Sequence, residues 1–248
     1  MKTLVVNDLR QAAAKLAKEY AAPCHGEEIL DQDGQAMGPD GSIKALLRCA
    51  VIPSELHNFV FELSKNVDGL LANRPSIVGV SSRDVSEIIA PDLAGRAAVF
   101  GWDRPGHPTP QTIKHPEILF GNEALGKLSD ALFKLHLPMP HAKQLAAIDP
   151  HWRLWKTTAF STFYAIRDHR CTYHTDRNWK GGMTALMPAG DFEGSELVLP
   201  GWGLTIRFQS GDLLFFDAGE LHGNLPIIKG QRLSIAFYCA RQIGKCNK

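Results

Sequence analysis

The last third of the chain alternates short apolar runs with glycine-rich turns. These runs lie at residues 196–199, 204–208, 212–217, 221–224 and 233–239. Aliphatic and aromatic residues dominate them, and turn residues separate them, which is the pattern of β-strands. Strands that are this short and evenly spaced, with no helix between them, favour an antiparallel double-sheet barrel.

The earlier part of the chain shows a mixed pattern. Apolar residues at helical spacing predict helices over residues 7–20, 54–67 and 122–135, and Pro138 and Pro140 stop the last of them. Short apolar runs predict strands at 45–52 and 76–80, and a hairpin formed by 157–166 and 170–176. Residues 22–42 and the proline-rich stretch that ends near Gly121 predict loops.

Length and composition indicate one globular domain. The 248 residues are 44% hydrophobic and 21% charged, which is ordinary for a soluble protein. We expect residues 1–156 to be a helical and loop-rich support region and residues 157–240 to be the β core. The net charge of +1 neither requires nor excludes a nucleic-acid partner, since a local basic patch would suffice.

Compartment signals favour an intracellular protein, nuclear or cytoplasmic. The N-terminal apolar run is too short for a signal-peptide core, and no stretch approaches the length of a membrane span. The five cysteines are an odd number without a CxxC pair, which fits a reducing environment. A Walker loop, a dinucleotide-binding glycine motif and a GxSxG nucleophile motif are all missing from the sequence.

Three candidate metal ligands lie in the predicted β core. His174 and Asp176 are two residues apart, so a β-strand would turn both side chains to one face. His222 follows the apolar run 212–217. Two histidines and one carboxylate form the facial triad of non-haem Fe(II) sites, with other coordination positions left open. An HxD pair alone is expected about 0.6 times by chance in such a chain, so the pair needs the residues that follow.

Arg232 and Ser234 extend the pattern. They alternate onto one face of the predicted strand 233–239 and follow His222 at a spacing expected roughly 0.03 times by chance. An arginine that points into a barrel needs an anion, and a guanidinium beside a hydroxyl suits the distal carboxylate of 2-oxoglutarate. The alternative is that Arg232 pairs with a buried acid such as Asp217.

These residues resemble the Fe(II)/2-oxoglutarate dioxygenases. The resemblance is carried by His174-Thr-Asp176, His222 and Arg232-Leu-Ser234, and it covers roughly the last third of the chain. The segments HTDRNW, GDFEGSELVLPGWGLTIRF and SGDLLFFDAGELHGN look most like the TET/JBP branch and its fungal-type relatives. That branch oxidises methylated pyrimidines in nucleic acids.

The resemblance implies an α+β fold and a reaction. The fold would be a double-stranded β-helix, the jelly roll of cupins, with flanking N-terminal helices. Fe(II) bound by the catalytic residues His174, Asp176 and His222, and 2-oxoglutarate bound by Arg232 and Ser234, would together oxidise a C–H bond. The expected substrate is the methyl group of 5-methylcytosine or thymine in DNA or RNA, a reaction linked to DNA demethylation.

Four further residues are candidates for binding cosubstrate or substrate. Arg170 shares the face of His174 and could reach an oxyanion of the cosubstrate, or could pair with Asp168. Asn178 could hydrogen-bond a base edge, or could cap its own loop. Trp102 and Arg104 could form a wall for a planar base, or could simply pack in a loop.

Two other functions fit the same residues. A sister enzyme of this superfamily could hydroxylate a small molecule or a protein side chain, and it would turn over 2-oxoglutarate without salt-dependent DNA binding. A cupin-like barrel could instead use the histidines for binding only. The complete triad together with Arg232 favours the enzymes.

Overall fold

The computed structural model describes residues 1–65, 96–176 and 178–244, except for the side chains of residues 96, 97 and 103. Its strands are β1 Lys2–Val5, β2 Glu28–Leu30, β3 Gly34–Met37, β4 Ile43–Arg48, β5 Arg96–Arg104, β6 His107–Pro108, β7 Thr162–Arg167, β8 Thr184–Ala189, β9 Phe192–Gly194, β10 Leu197–Leu199, β11 Leu204–Ile206, β12 Leu213–Phe216, β13 Gly223–Asn224, β14 Ile227–Gly230 and β15 Leu233–Tyr238. Its α-helices are α1 Arg10–Ala13, α2 Ser54–Lys65, α3 Pro110–Lys114, α4 Pro116–Gly121, α5 Glu123–His136 and α6 Pro138–Ala147.

Two sheets form a double-stranded β-helix, as the sequence predicts. The large sheet has nine strands in the order β1-β3-β4-β12-β8-β15-β7-β5-β6, and the small sheet has four in the order β13-β10-β11-β2. Most neighbours are antiparallel, and β1–β3 and β2–β11 are parallel. The short pair β9–β14 forms a separate ribbon.

The large sheet separates two apolar cores. Leu233, Ile235 and Phe237 of β15 pack on one face with residues of helices α2 and α5, such as Val60 and Phe133. The opposite face of β15 carries Ser234 and Ala236, and Ala236 packs with residues of the small sheet. This alternation follows from the two-residue period of a strand. The space between the two sheets is therefore where inward polar side chains of β15 must lie.

The predicted helices that begin at 54 and 122 are confirmed as α2 and α5. In α5 Leu125 and Phe133 are fully inaccessible to solvent, whereas Leu135 at the end of the helix is exposed. The chain does turn at Pro138, but a second helix, α6, starts there because proline is well tolerated in the first turn of a helix. The predicted loop ending near Gly121 likewise contains β5 and the short helices α3 and α4. The predicted strand at 76–80 lies outside the described residues.

The predicted helix over 7–20 is wrong beyond its first turns. The α-helix ends at Ala13, and Lys18 adopts a positive φ of 74°. Its backbone N–H donates to the carbonyl of Tyr173 at 2.8 Å, and Tyr20 pairs with Thr172 in an antiparallel bridge. Pairing with a distant segment thus overrides a local pattern that is compatible with a helix.

Three other local predictions need correction. The loop predicted at 22–42 contains β2 and β3, and the first strand of the predicted hairpin pairs with β5 and β15 rather than with residues 170–176. Residues 170–176 are held by isolated bridges instead. Among the described residues before 157, six strands belong to the two sheets, so the β core is not confined to residues 157–240.

Candidate active site

His174, Asp176 and His222 come together between the ends of the sheets. One ligand atom from each lies within 4.8 Å of the others, and the structure shows this single such cluster among the described residues. The Nε2 atom of His174 is 3.5 Å from Asp176 Oδ1, and Nε2 of His222 is 4.0 Å from Asp176 Oδ2. Three ligands on one face of an octahedral metal lie roughly 3 Å apart, so a small contraction would let all three bind one ion.

The backbone around the cluster fixes both imidazoles. His174 and His222 face each other in an antiparallel bridge, with reciprocal N–H to carbonyl bonds of 2.9 and 3.0 Å. Nδ1 of His174 lies 2.7 Å from the Thr172 carbonyl, and Nδ1 of His222 lies 2.9 Å from the Glu220 carbonyl. A carbonyl only accepts, so each Nδ1 carries a proton, and Nε2 is the nitrogen of each ring that faces Asp176. This tautomer is the one that binds a metal through Nε2.

Burial and mutual charge set the protonation of the cluster. Burial opposes the charged form of Asp176, but the hydrogen bond from His174 and the charges of the two histidines lower its pKa overall. Burial and the neighbouring His174 lower the pKa of His222 to about 4. Asp176 is thus a carboxylate and His222 a neutral imidazole at neutral pH, which are the forms that bind a divalent metal.

Arg232 lies buried between the sheets, with 5% of its surface exposed. Its guanidinium packs 5.0 Å from the ring centre of Phe208 and 5.7 Å from that of Phe192. Nη1 donates to the carbonyl of Ser195 at 3.2 Å and to its hydroxyl. Asp217 accepts from the Gly219 backbone instead, and no ion pair of Arg232 is seen among the described residues. The alternative pairing with Asp217 is therefore not observed.

This guanidinium has the properties of an anion site. Its Nε is buried and has no hydrogen-bond partner in the described part of the chain. Burial lowers the pKa of Arg232 to about 10, because a charge removed from water is costly without a counter-ion. A bound carboxylate would supply both the missing acceptor and the missing charge. The donor set therefore fits the distal carboxylate of 2-oxoglutarate.

Half-buried side chains line the space beside Arg232. Ser234 lies opposite Ile166 and Pro188 in the strand register, and Tyr164 lies opposite Ala236, so these side chains share the inner face. Burial raises the pKa of Tyr164 well above its usual value, and the nearby Asp176 raises it further. The inner face of the large sheet thus carries the hydroxyls of Ser234 and Tyr164 into the region of the triad.

The structure engages Arg170 elsewhere. Its Nη2 donates to the carbonyl of Ala21 at 3.0 Å, and its guanidinium lies 4.4 Å from the ring centre of Tyr20. Asp168 accepts the backbone N–H of Arg232 at 2.7 Å. A pair with Asp168 is thus not observed, and a part of Arg170 in cosubstrate binding stays a prediction. Arg170 joins the N-terminal segment to the segment that leads to His174.

The three predicted substrate residues also have structural contacts. Asn178 donates to the hydroxyl of Thr184 at 2.9 Å. Trp102 packs edge to face with Trp152 at 4.9 Å. Arg104 is exposed at the end of β5, paired with His107. None of these contacts brings them to the triad, and their part in substrate binding stays a prediction.

Two polar residues that the sequence did not single out connect the cluster with Arg232. Asn224 follows His222 by two positions, and Ser195 receives the bonds from Arg232. Asn224 donates to the Ser195 hydroxyl at 3.0 Å and accepts the backbone N–H of Cys171 at 2.7 Å. Asn224 ends the predicted strand 221–224, and its place two residues after His222 was the one signal for it. Ser195 lies in the connection between β9 and β10 and gave no comparable signal.

A jelly roll with a two-histidine, one-carboxylate cluster and a buried arginine defines the class of 2-oxoglutarate/Fe(II) oxygenases. The profile of the TET/JBP family, described as the oxygenase domain of the 2OGFeDO superfamily, matches residues 109–241. This match spans more than half of the chain, which therefore belongs to that family. Fe(II) and 2-oxoglutarate are the cofactors of this class.

Individual proteins are also similar to this chain in sequence. The chain is 38% identical over 102 residues to the bifunctional helicase and thymine dioxygenase JBP2 of Trypanosoma cruzi, covering 39% of this chain and 9% of that protein. It is 35% identical over 127 residues to JBP2 of Leishmania major, covering 49% and 12%. The chain thus spans only about a tenth of the length of these curated relatives.

A solved structure shares the fold across nearly the whole chain. NgTET1 in complex with 5mC DNA superposes with a TM-score of 0.65 at 12% identity, covering 95% of this chain and 92% of that chain. At this identity the likeness shows the fold alone.

No helix in the described ranges is long and apolar enough to cross a membrane.

Proposed function

We propose that this chain is an Fe(II)- and 2-oxoglutarate-dependent dioxygenase that oxidises the methyl group of 5-methylcytosine or thymine in DNA. The observation that carries the proposal is the cluster of His174, Asp176 and His222 between the same two sheets that enclose Arg232. The cluster offers donors for one metal, and Arg232 offers an anchor for one dicarboxylate. Both are required for this chemistry, and neither is needed for the stability of a jelly roll.

In this proposal His174, Asp176 and His222 hold the metal through Nε2 of each imidazole and one carboxylate oxygen. Bound Fe(II) supplies the reaction of O2 with 2-oxoglutarate, which yields succinate and CO2 and oxidises a substrate C–H bond. The carbonyls of Thr172 and Glu220 keep both imidazoles in the metal-binding tautomer. The ligand geometry is thereby set before metal binds.

Arg232 binds the distal carboxylate of 2-oxoglutarate, with the hydroxyls of Ser234 and Tyr164 on the same inner face. Apolar residues of the two sheets surround this region and exclude water, so the charge pair is stronger than it would be at the surface. Arg170 is not needed for this anchor, because its guanidinium already has Ala21 and Tyr20 as partners.

The family, and the activities after which its relatives are named, support this substrate. The JBP2 proteins are named thymine dioxygenases, and NgTET1 was solved with 5mC DNA. The C5 methyl group of a paired base points into the major groove while the base itself is stacked, so the base would have to leave the stack for its methyl group to reach a metal between the sheets. An activity on DNA would also place the protein inside the cell, in agreement with its cysteine content.

The test is succinate formation by the full chain after anaerobic loading with Fe(II) and exposure to air. The reactions contain 5-methylcytosine DNA, thymine DNA, methylated RNA or no substrate. We expect one methylated DNA to stimulate turnover strongly and His174→Ala to abolish it. His151→Ala is the matched control, because His151 is exposed and lies outside the cluster.

The other outcomes separate the alternatives. Iron-dependent turnover that no nucleic acid stimulates would keep the oxygenase and reject the DNA substrate in favour of a small molecule or protein. Absence of both turnover and iron binding would reject the enzyme and leave a cupin-like binding protein. Methylated RNA as the best substrate would keep the base chemistry and change the nucleic acid.

A further inference from the structure

A single buried amide connects three segments of the candidate site. Asn224 is 5% exposed and lies in β13, two residues after His222. Its Oδ1 accepts the backbone N–H of Cys171 at 2.7 Å, three residues before His174. Its Nδ2 donates to the hydroxyl of Ser195 at 3.0 Å and to the carbonyls of His169 and Leu225, each at 3.2 Å.

Ser195 links Asn224 to Arg232 through hydrogen bonds. It is 1% exposed, and its hydroxyl and carbonyl both accept from Nη1 of Arg232. Ser195 adopts a φ of +63°, a left-handed conformation that residues with a side chain rarely adopt. Its backbone N–H donates to the Pro226 carbonyl at 2.9 Å, which helps to hold that conformation. Strained backbone held at a functional side chain is a common feature of binding sites.

We propose that Asn224 and Ser195 are positioning residues that set Arg232 at a fixed distance from the metal triad. The inference rests on the proposed function, because the ligand that needs this distance is 2-oxoglutarate bound at both ends. One end lies at the metal and the other at the guanidinium. A rigid carboxamide with a donor and an acceptor is suited to join the two, since it bonds the His174 segment and Ser195 together.

The two positioning residues have different predicted effects. Ser195 accepts from Arg232 and from Asn224, and in the described part of the chain no hydrogen bond joins it to the triad, so loss of its hydroxyl should act mainly on the distal carboxylate. Asn224 also holds the Cys171 backbone and lies beside His222, so it affects the metal as well. Loss of the Ser195 hydroxyl leaves Arg232 with fewer restraints on the orientation of its fork, and a mobile fork forms weaker bidentate bonds.

The decisive variant is Ser195→Gly in the full chain. Glycine removes the hydroxyl and accepts the positive φ without strain, so the fold is not expected to suffer. Isothermal titration of 2-oxoglutarate uses Mn(II) in place of Fe(II), which avoids turnover. We expect the Kd for 2-oxoglutarate to rise about tenfold, as for the loss of one hydrogen bond to a charged group, with Mn(II) affinity unchanged.

Turnover gives a second readout. Ser195→Gly should raise the KM for 2-oxoglutarate and leave kcat at saturating cosubstrate near that of the wild type. Asn224→Ala should weaken the binding of both Mn(II) and 2-oxoglutarate. Ser129→Ala is the matched control, because it removes a fully buried hydroxyl from α5, away from Arg232, and should change neither affinity.

The inference is overturned if Ser195→Gly binds 2-oxoglutarate as tightly as the wild type. It is also overturned if the variant loses melting temperature and kcat together with an unchanged KM, since that result indicates a purely structural role. Failure of the wild type itself to bind 2-oxoglutarate would overturn the proposed function first and this inference with it. The wild-type titration therefore distinguishes the two failures.

Discussion

At the scale of single residues, backbone carbonyls determine the chemistry of the candidate metal site. In each imidazole of the cluster, Nδ1–H donates a hydrogen bond to the carbonyl two residues earlier in the chain. These carbonyls belong to Thr172 and Glu220. Nε2 of each ring is thereby left facing Asp176, at 3.5 Å for His174 and 4.0 Å for His222. The nitrogen that binds a metal is therefore selected by the backbone.

Substitution of Arg232 tests the cosubstrate anchor. Arg232→Met keeps the volume but removes charge and donors, so we expect the KM for 2-oxoglutarate to rise at least about 30-fold, from the loss of a buried charge pair. Arg232→Lys keeps the charge without the planar fork and should have an intermediate effect. Steady-state kinetics of succinate formation with varied 2-oxoglutarate measure both.

The exposed Arg241→Met is the control for this series. It should leave the KM for 2-oxoglutarate unchanged. An Arg232→Met protein that is well folded and has the wild-type KM would show that the distal carboxylate binds elsewhere.

Cysteine reactivity reports the burial of the inner face. Burial raises the pKa values of the Cys171 and Cys239 thiols to about 12, so at pH 8 almost none of either is thiolate. Cys24 is exposed. We expect iodoacetamide to label Cys24 before Cys49, Cys171 and Cys239 in the native protein, and all four to react after unfolding. Mass spectrometry of tryptic peptides measures the order, and native labelling of Cys171 as rapid as that of Cys24 would contradict the raised pKa of its thiol.

At the scale of elements, the sequence predicts strands best where apolar residues are bounded by turn residues. Strands β12 and β15 are examples, although apolar layers cover both of their faces. Strand β8, in the middle of the large sheet, was missed, and its six buried residues likewise show no alternation. It also contains Pro188, and proline argues against a central strand.

The residues of the candidate site also fall into two groups, those that the sequence identifies and those that it does not. His174, Asp176, His222 and Arg232 could be found because a fixed set of residue types at a fixed spacing is needed to bind a metal and a dicarboxylate. Ser195 and Asn224 could not be assigned, since their importance depends on contacts across 29 positions of the chain. The position of Tyr164 on the inner face likewise depends on the register between β7 and β15, which the sequence alone does not reveal.

Substitutions at two glycines test the rigidity of the β9–β14 ribbon, which places Phe192 against Arg232. Gly230 has a φ of +83°, and a Cβ there would lie 1.9 Å from the Asp191 carbonyl oxygen. Gly41 has a similar φ of +74°, but a Cβ there would meet nothing within 4 Å. We expect Gly41→Ala to lower the free energy of unfolding by about 1 kcal/mol, from backbone strain alone.

Gly230→Ala should cost at least about 2 kcal/mol more than Gly41→Ala, because backbone must move as well. Urea unfolding followed by circular dichroism measures both values. Equal losses for the two variants would mean that the ribbon shifts freely to admit a methyl group. The ribbon would then be too loose to hold Phe192 against the guanidinium.

At the scale of the whole molecule, both halves of the chain build the site. The triad and Arg232 come from residues after 170, but the sheets around them are completed by earlier strands. Strand β12 pairs with β4, β7 pairs with β5, and β11 pairs with β2. The helix-facing core is shared in the same way, since Phe133 of α5 stacks on Phe160 at 6.0 Å and on Phe215 at 5.3 Å.

A shortened chain of residues 157–244 therefore should not fold, although it contains every proposed metal ligand. It would expose the core face of β15 and leave three strands with unpaired edges, and each defect favours aggregation over a native state. We expect this piece to lack near-ultraviolet circular dichroism, to unfold without a cooperative transition and to bind Mn(II) far more weakly than the full chain. A cooperative transition with full-strength Mn(II) binding would instead show that the earlier strands are accessory. In that case the site would belong to the late strands alone, and the first half would serve another purpose, such as holding the substrate.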